Sequence, residues 1–197
     1  DMRLFPFAVA LGLAALPAFG ETTFSAGGTL ELYHDPAGSG SADEIDATIH
    51  AEVETQGIYL GASALKSNDD ALDEFALGLG YRGEVSGVGY DIGLTRYVYP
   101  HDSAANYSEL LLGLSKDFDD RFSGGIDFGY DVTNRAASVA LGGAYAATDK
   151  LALSANVKAY EVPGASNEAE WDLGASYAVT DKVAADLRWY DGSDYAD

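Results

Sequence analysis

His101-Asp102-Ser103 puts an imidazole, a carboxylate and a hydroxyl in consecutive residues, the groups from which a rim hydrolase would assemble a nucleophilic site. Adjacent side chains on a loop diverge, however, and such sites are built by convergence of distant residues. His34 opens another loop, and His50 lies on the polar side of an alternating segment beside Glu52, where pairing with carboxylates is the simpler expectation. With 0 cysteines, thiolate nucleophiles and thiolate-bound metals are excluded. Asp43-Glu44 and Asn68-Asp69-Asp70 carry oxygen ligands, yet neither has the spaced loop of a dedicated Ca²⁺ or Mg²⁺ site. Gly78-Leu79-Gly80 and Gly87-Val88-Gly89 lack the following helix that a phosphate cradle needs. No catalytic residue, cofactor or metal is expected, and the chain does not read as an enzyme.

The remaining chemistry is negative charge. Of 197 residues, 32 are Asp or Glu and 11 are Lys or Arg, so the formal net charge is −21. Attraction to phosphate backbones is thereby ruled out as a basis for function. The acids are not scattered. From Glu44 to Glu54, Ile45, Ala47, Ile49, Ala51 and Val53 share one side, while Asp46, Thr48, His50, Glu52 and Glu54 share the other. Phe122 to Thr133 and Glu168 to Val179 alternate in the same way. Period-two alternation on this scale dictates β-strands with one apolar and one polar face.

Eleven strands are predicted, near 23–33, 44–55, 58–65, 72–85, 88–98, 107–118, 122–133, 136–147, 151–160, 168–179 and 183–190. Most exceed the usual 5 or 6 residues and suit a tilted membrane strand of about 9 to 11. Connections after even-numbered strands are tight, as at Gln56-Gly57 and Ser86-Gly87. Those after odd-numbered strands are mostly longer, with Asn134-Arg135 the exception. That asymmetry, with aromatic residues gathered at both ends of the apolar faces, predicts an up-and-down antiparallel transmembrane β-barrel of the all-β class. Tyr145-Ala-Ala-Thr-Asp-Lys-Leu returns one hairpin later as Tyr177-Ala-Val-Thr-Asp-Lys-Val, consistent with a meander.

Residues 1–20 read as a secretory signal peptide: Met2-Arg3, an apolar run from Leu4 to Leu16, then small residues at Ala18 and Gly20. Residues 21–197 form the barrel domain. Bacterial barrels have even strand numbers, and residues 191–197 read as an outer loop. A twelfth, C-terminal strand is therefore expected beyond the chain; the alternative is ten strands, with one split too many between Leu72 and Leu94.

In such a barrel Asp46, Glu52, Glu74, Asp91, Glu109, Asp127, Asp131, Glu170, Asp172 and Asp186 face the lumen, with Arg82, Lys158 and Arg188 as counter-charges. Leu110, Leu112, Leu114, Phe128, Leu141 and Leu173 face lipid. The expected function is a narrow cation-preferring pore for small cationic or neutral solutes in the outer membrane of a Gram-negative bacterium. The competing expectation is a non-conducting envelope scaffold or surface-interaction barrel.

Tyr97-Val98-Tyr99-Pro100 followed by Asn106-Tyr107-Ser108-Glu109-Leu110 resembles the Gcw_chp family of proteobacterial proteins, whose members carry a Tyr-Pro loop followed by Asn-Tyr-x-Glu. Ser67-Asn68-Asp69 and the run from Trp171 to Tyr177 resemble further family signposts. The resemblance implies a secreted outer-membrane-type barrel without an assigned activity, and singles out Tyr99, Pro100, Asn106, Tyr107 and Glu109 as the family-motif loop.

Overall fold

A computed structural model describes residues 22–33, 44–68 and 70–193. The signal segment, His34, Asp43, Asp69 and residues 194–197 lie outside the described residues. The rest is one antiparallel sheet of eleven strands in sequence order, each hydrogen-bonded to its neighbours in the chain. The strands are β1 (Thr22–Tyr33), β2 (Glu44–Thr55), β3 (Ile58–Ser67), β4 (Glu74–Val85), β5 (Val88–Val98) and β6 (Tyr107–Asp117), then β7 (Phe122–Asp131), β8 (Ala136–Ala146), β9 (Leu151–Tyr160), β10 (Glu168–Ala178) and β11 (Ala184–Gly192). The ten-strand alternative is excluded for the described residues. Leu72 to Leu94 divides at Ser86-Gly87, where Val85 pairs with Val88.

The tight turns follow from backbone geometry. Gln56-Gly57 and Ser86-Gly87 adopt positive φ throughout, at 53° and 82° and at 54° and 74°. Such mirror-image turns match the right-handed twist of paired strands, and glycine accepts that conformation without steric cost. Several strand ends differ from expectation: β3 runs on to Ser67 and β11 to Gly192, so Asp191 and Gly192 belong to the last strand and not to an outer loop, and two further ends have a clear physical cause. β4 starts at Glu74 rather than Leu72 because Asp70–Leu72 forms a 3₁₀ turn, tied down by the Lys66 ammonium on Asp70 and Asp73. β7 stops at Asp131 rather than Thr133 because the Asp131 carboxylate accepts from the N–H groups of Thr133 and Asn134, at 2.8 and 3.0 Å, and bends the chain into the next hairpin.

The sheet curls until its first and last strands approach, with the Tyr33 and Tyr190 rings 6.3 Å apart. No ladder joins β1 to β11. The concave face is the acidic one. On it Arg82 of β4 reaches Glu52 of β2 at 2.8 Å, and Arg188 of β11 reaches Ser154 of β9 at 3.2 Å, each skipping a strand. The convex face is apolar. Leu30, Leu110, Leu141 and Leu173 are between 48% and 69% exposed, whereas Ala76 and Tyr99 are the buried apolar residues among those described. Hydrophobic side chains here face outward, the inverse of a soluble fold.

At the turn joining β6 to β7, the Asp119 carboxylate accepts from the N–H groups of Arg121 and Phe122 at 2.7 and 2.8 Å. These bonds hold its carboxyl below the usual range. A lowered folded pKa stabilises above the unfolded value of about 3.9 and is lost as pH falls through the folded one. The Asp119→Ala variant is therefore expected to unfold at lower urea than the parent near neutral pH, with the gap closing as pH falls through the folded value. Urea transitions in detergent micelles at several pH values measure this, and a gap that persists in strong acid contradicts it.

Candidate functional site: the inward-facing lining

The ten acidic residues singled out above all occupy the concave-face parity of their strands, as the cross-strand register requires: Asp46 opposes Glu31, Arg82 opposes Asp91, Glu109 opposes Asp131, and Glu170 opposes Lys158. Their environments differ sharply, and they sort around the basic groups.

Arg82 anchors one wall. Its guanidinium lies 2.8 Å from Glu52, 3.6 Å from Glu54 and 3.5 Å from Asp91, and its carbon sits 4.1 Å from the centroid of the Tyr59 ring. The Tyr59 hydroxyl donates to Asp91 at 2.8 Å. This arrangement needs empty wall. A Cβ at Gly93 would stand 2.6 Å from the Tyr59 hydroxyl, and one at Gly80 would strike its ring. Tyr59 thus lies flat across two neighbouring strands.

Arg188 anchors the opposite part of the sheet. It pairs with Asp172 and, at 3.3 Å, with Asp186. Asp172 also accepts from Asn156 Nδ2 at 3.0 Å, and Asp186 from the Ser176 hydroxyl at 2.7 Å. Gly174 stands between Arg188 and Ser154 in register, and a Cβ there would meet the guanidinium at 2.6 Å. Lys158 stands 4.0 Å from Glu170 and 5.4 Å from the centroid of the Tyr160 ring.

The other acids have no such anchor. Asp127 lies over Gly113, 2.7 Å from where a Cβ would be, and no basic side chain pairs with it among the described residues. Glu109 lies against Gly129. Asp131 is committed to capping its turn. Glu74 accepts from the Tyr99 hydroxyl at 2.5 Å, and Asp46 is 3% exposed with its Oδ1 unbonded.

One expectation needs correction. His50 was expected to pair with carboxylates; it lies instead over Gly27, with no carboxylate partner among the described residues. The absence of a side chain at Gly27 offers it a flat seat. His101, Asp102 and Ser103 diverge, as adjacent side chains on a loop are expected to. His101 turns to Asp73 at 3.5 Å, and Asp102 caps the 3₁₀ turn Ser103–Ala105 by accepting from the Ala104 N–H. Lys66 and the Ser67 N–H hold the Asp73 carboxyl below its usual range against the opposing effect of desolvation.

The motif loop is a structural clamp. Asn106 Oδ1 accepts from the Tyr99 N–H at 2.7 Å and closes the loop that Pro100 turns. Tyr99 and Tyr107 bracket it, and both point inward. Tyr33, Tyr97, Tyr160 and Tyr190 share the inward parity at the long-loop end, a feature that sequence reasoning missed. Parity could have found it, since Tyr97 and Tyr107 each stand two residues from an inward position, Thr95 and Glu109.

No family model and no curated protein matches the sequence. The fold is similar to two solved porins. One is the KdgM porin, with a TM-score of 0.64 and 9% identity over 88% of this chain and 92% of that one. The other is the NanC porin, with a TM-score of 0.62 and 11% identity over 85% of this chain and 86% of that one. At such identities the likeness is one of fold: an up-and-down antiparallel β-barrel.

Removing Arg82 leaves three carboxylates facing one another. Arg82→Met is expected to cost about 1–3 kcal/mol, and adding Glu52→Gln to restore part of it. Unfolding in urea across this double-mutant cycle measures the coupling; strict additivity would contradict the network.

Proposed function

We propose that this chain is an integral outer-membrane barrel of a Gram-negative bacterium whose acidic lumen passes small cationic or neutral solutes. The observation that carries the reading is the way inward side chains lie down. Tyr59 over Gly80 and Gly93, Asp127 over Gly113, Asn156 over Gly142 and Arg188 over Gly174 are folded along the wall by glycine recesses instead of projecting toward the axis. A lining folded back in this manner leaves an aqueous path, and the excess of carboxylates over Arg82, Lys158 and Arg188 gives that path a negative field. The convex apolar face supports embedding in lipid. Membership of the Gcw_chp family belongs to the same proposal and rests on the Tyr90–Gly93, Tyr97–Pro100 and Asn106–Leu110 motifs, with Ser67–Asp69 and Trp171–Tyr177 as further signposts.

The refolded protein in a planar bilayer under a salt gradient is expected to give a reversal potential of cation-preferring sign. Asp127→Asn should weaken that preference more than Asp172→Asn does, because Asp172 is neutralised by Arg188. Preference for anions would refute the reading, and a folded barrel without conductance would favour the scaffold. Embedding has its own test. Phe128→Arg on the convex face should destabilise the folded barrel by roughly 2–4 kcal/mol in lipid, and Asp127→Arg by much less. Equal costs in vesicle unfolding assays would remove the basis for lipid contact.

A further inference from the structure

The inner rim at the long-loop end has a composition unlike the rest of the lining. Tyr97 of β5 opposes Tyr107 of β6, and their rings stack at 4.5 Å and 17°. Tyr99 continues the stack, 6.4 Å from Tyr107 at 18°. Its hydroxyl donates to Glu74, a carboxylate that no basic side chain accompanies among the described residues. Across β3, on β2, Asp46 is only 3% exposed, and its Oδ1 accepts no hydrogen bond. A buried carboxylate oxygen left bare is costly, and the cost is relieved when a donor is supplied. In register beside it stands Glu31, which accepts from the Tyr33 hydroxyl at 3.1 Å.

We propose that this rim is a binding site for linear oligoamines, with one ammonium group at Asp46 and Glu31, another at Glu74, the hydrocarbon between them crossing β3, and the chain continuing past Glu74 along the stacked tyrosines of β5 and β6. The inference rests on the reading of an acidic, water-filled lumen and names the class of solute received at its mouth. A single metal ion fits poorly: no group of three or more His, Cys, Asp or Glu side chains among the described residues could hold one. The two acidic poles are on β2 and β4, with β3 between, which separates them by about 10 Å at the normal spacing of strands. One ion cannot satisfy both, whereas an alkyl chain carrying two ammonium groups spans them. Tyrosine rings provide what a bare acidic field does not, apolar contact for methylenes and negative ring faces for ammonium groups. A neutral sugar could donate hydroxyls to the bare Asp46 oxygen but would bring no positive charge to the two acidic poles.

The experiment is calorimetric titration of spermidine into the barrel refolded in zwitterionic micelles, at constant ionic strength, with Mg²⁺ as the charge-only control. Saturable spermidine binding is expected, weakened at least about tenfold by Asp46→Asn combined with Glu74→Gln and several-fold by Tyr107→Leu. Asp120→Asn, in the exposed tight turn between β6 and β7 at the opposite end of the strands, should leave it unchanged. Heat-modifiable migration establishes that each variant is folded; should the double variant fail, Glu74→Gln alone, a near-isosteric change, reads the same loss. Absence of saturable binding, equal affinity in the variants, or displacement by Mg²⁺ at matched charge would overturn the proposal. Because the readout is binding, a barrel that binds spermidine yet conducts nothing defeats the pore reading alone, and a cation-selective pore indifferent to spermidine defeats this one alone.

Discussion

Main-chain pairing is the constraint from which everything else in this molecule follows. A fold whose buried apolar residues, among those described, are Ala76 and Tyr99 has no hydrophobic interior to hold it together. Its order comes from continuous ladders between consecutive strands, most of nine to twelve paired positions, such as the full length of β1 on β2. Pairing at that length fixes parity, and parity assigns every side chain to one solvent or the other. A slip of one residue would carry Asp127 to the apolar side and Phe128 to the lining. The strict alternation of the sequence and the length of the ladders are therefore two aspects of one requirement.

Within the lining, glycine does the work that a packed core does elsewhere. A curled sheet crowds its concave side chains, and the crowding is relieved by pairing a large polar group with an empty neighbour. Arg188 can bridge β11 to β9 because Gly174 lies beneath it, and Tyr59 can reach Asp91 because Gly80 and Gly93 do. Each recess also determines which carboxylate an arginine meets. The two guanidinium networks are thus placed by residues that carry no charge.

How much of this was legible in the sequence depends on whether the information was local. Period-two alternation is local, so the strand count and the inward parity of residues such as Glu52, Asp91 and Asp172 could be read from the chain. Turn chemistry is nearly so, and Gln56-Gly57 and Ser86-Gly87 stand where expected. The ends of β4 and β7 were harder, because the same residues that extend an apolar pattern are diverted by a carboxylate: Asp70 and Asp73 on Lys66 in one case, Asp131 on its own turn in the other. The partner of His50 was not legible at all. It depends on Gly27 in the adjacent strand, more than twenty positions away. The tyrosine rim was overlooked for a different reason: only the aromatic residues of the apolar faces were read as girdles, while the same parity that puts Tyr81 and Tyr145 outward puts Tyr97 and Tyr107 inward.

The distribution of charge along the lining carries an argument that the net charge alone does not. Arg82 and Arg188 gather Glu52, Glu54, Asp91, Asp172 and Asp186 into networks on two walls, and Asp131 is spent on a turn. Of the other acids predicted to line the lumen, those without an ion pair among the described residues are Asp127 and Glu109 in the body of the lining and Asp46 and Glu74 at its rim. The effective field is thus weaker along the walls than the composition suggests, and strongest at the outer end, where ring faces stand beside the bare carboxylates. A solute entering from that side would meet its tightest contact first, with a more nearly neutralised passage beyond it. In a conduit this order favours capture over retention, since a cation that leaves the rim finds beyond it only Glu109 and Asp127 without an ion pair or a turn to cap.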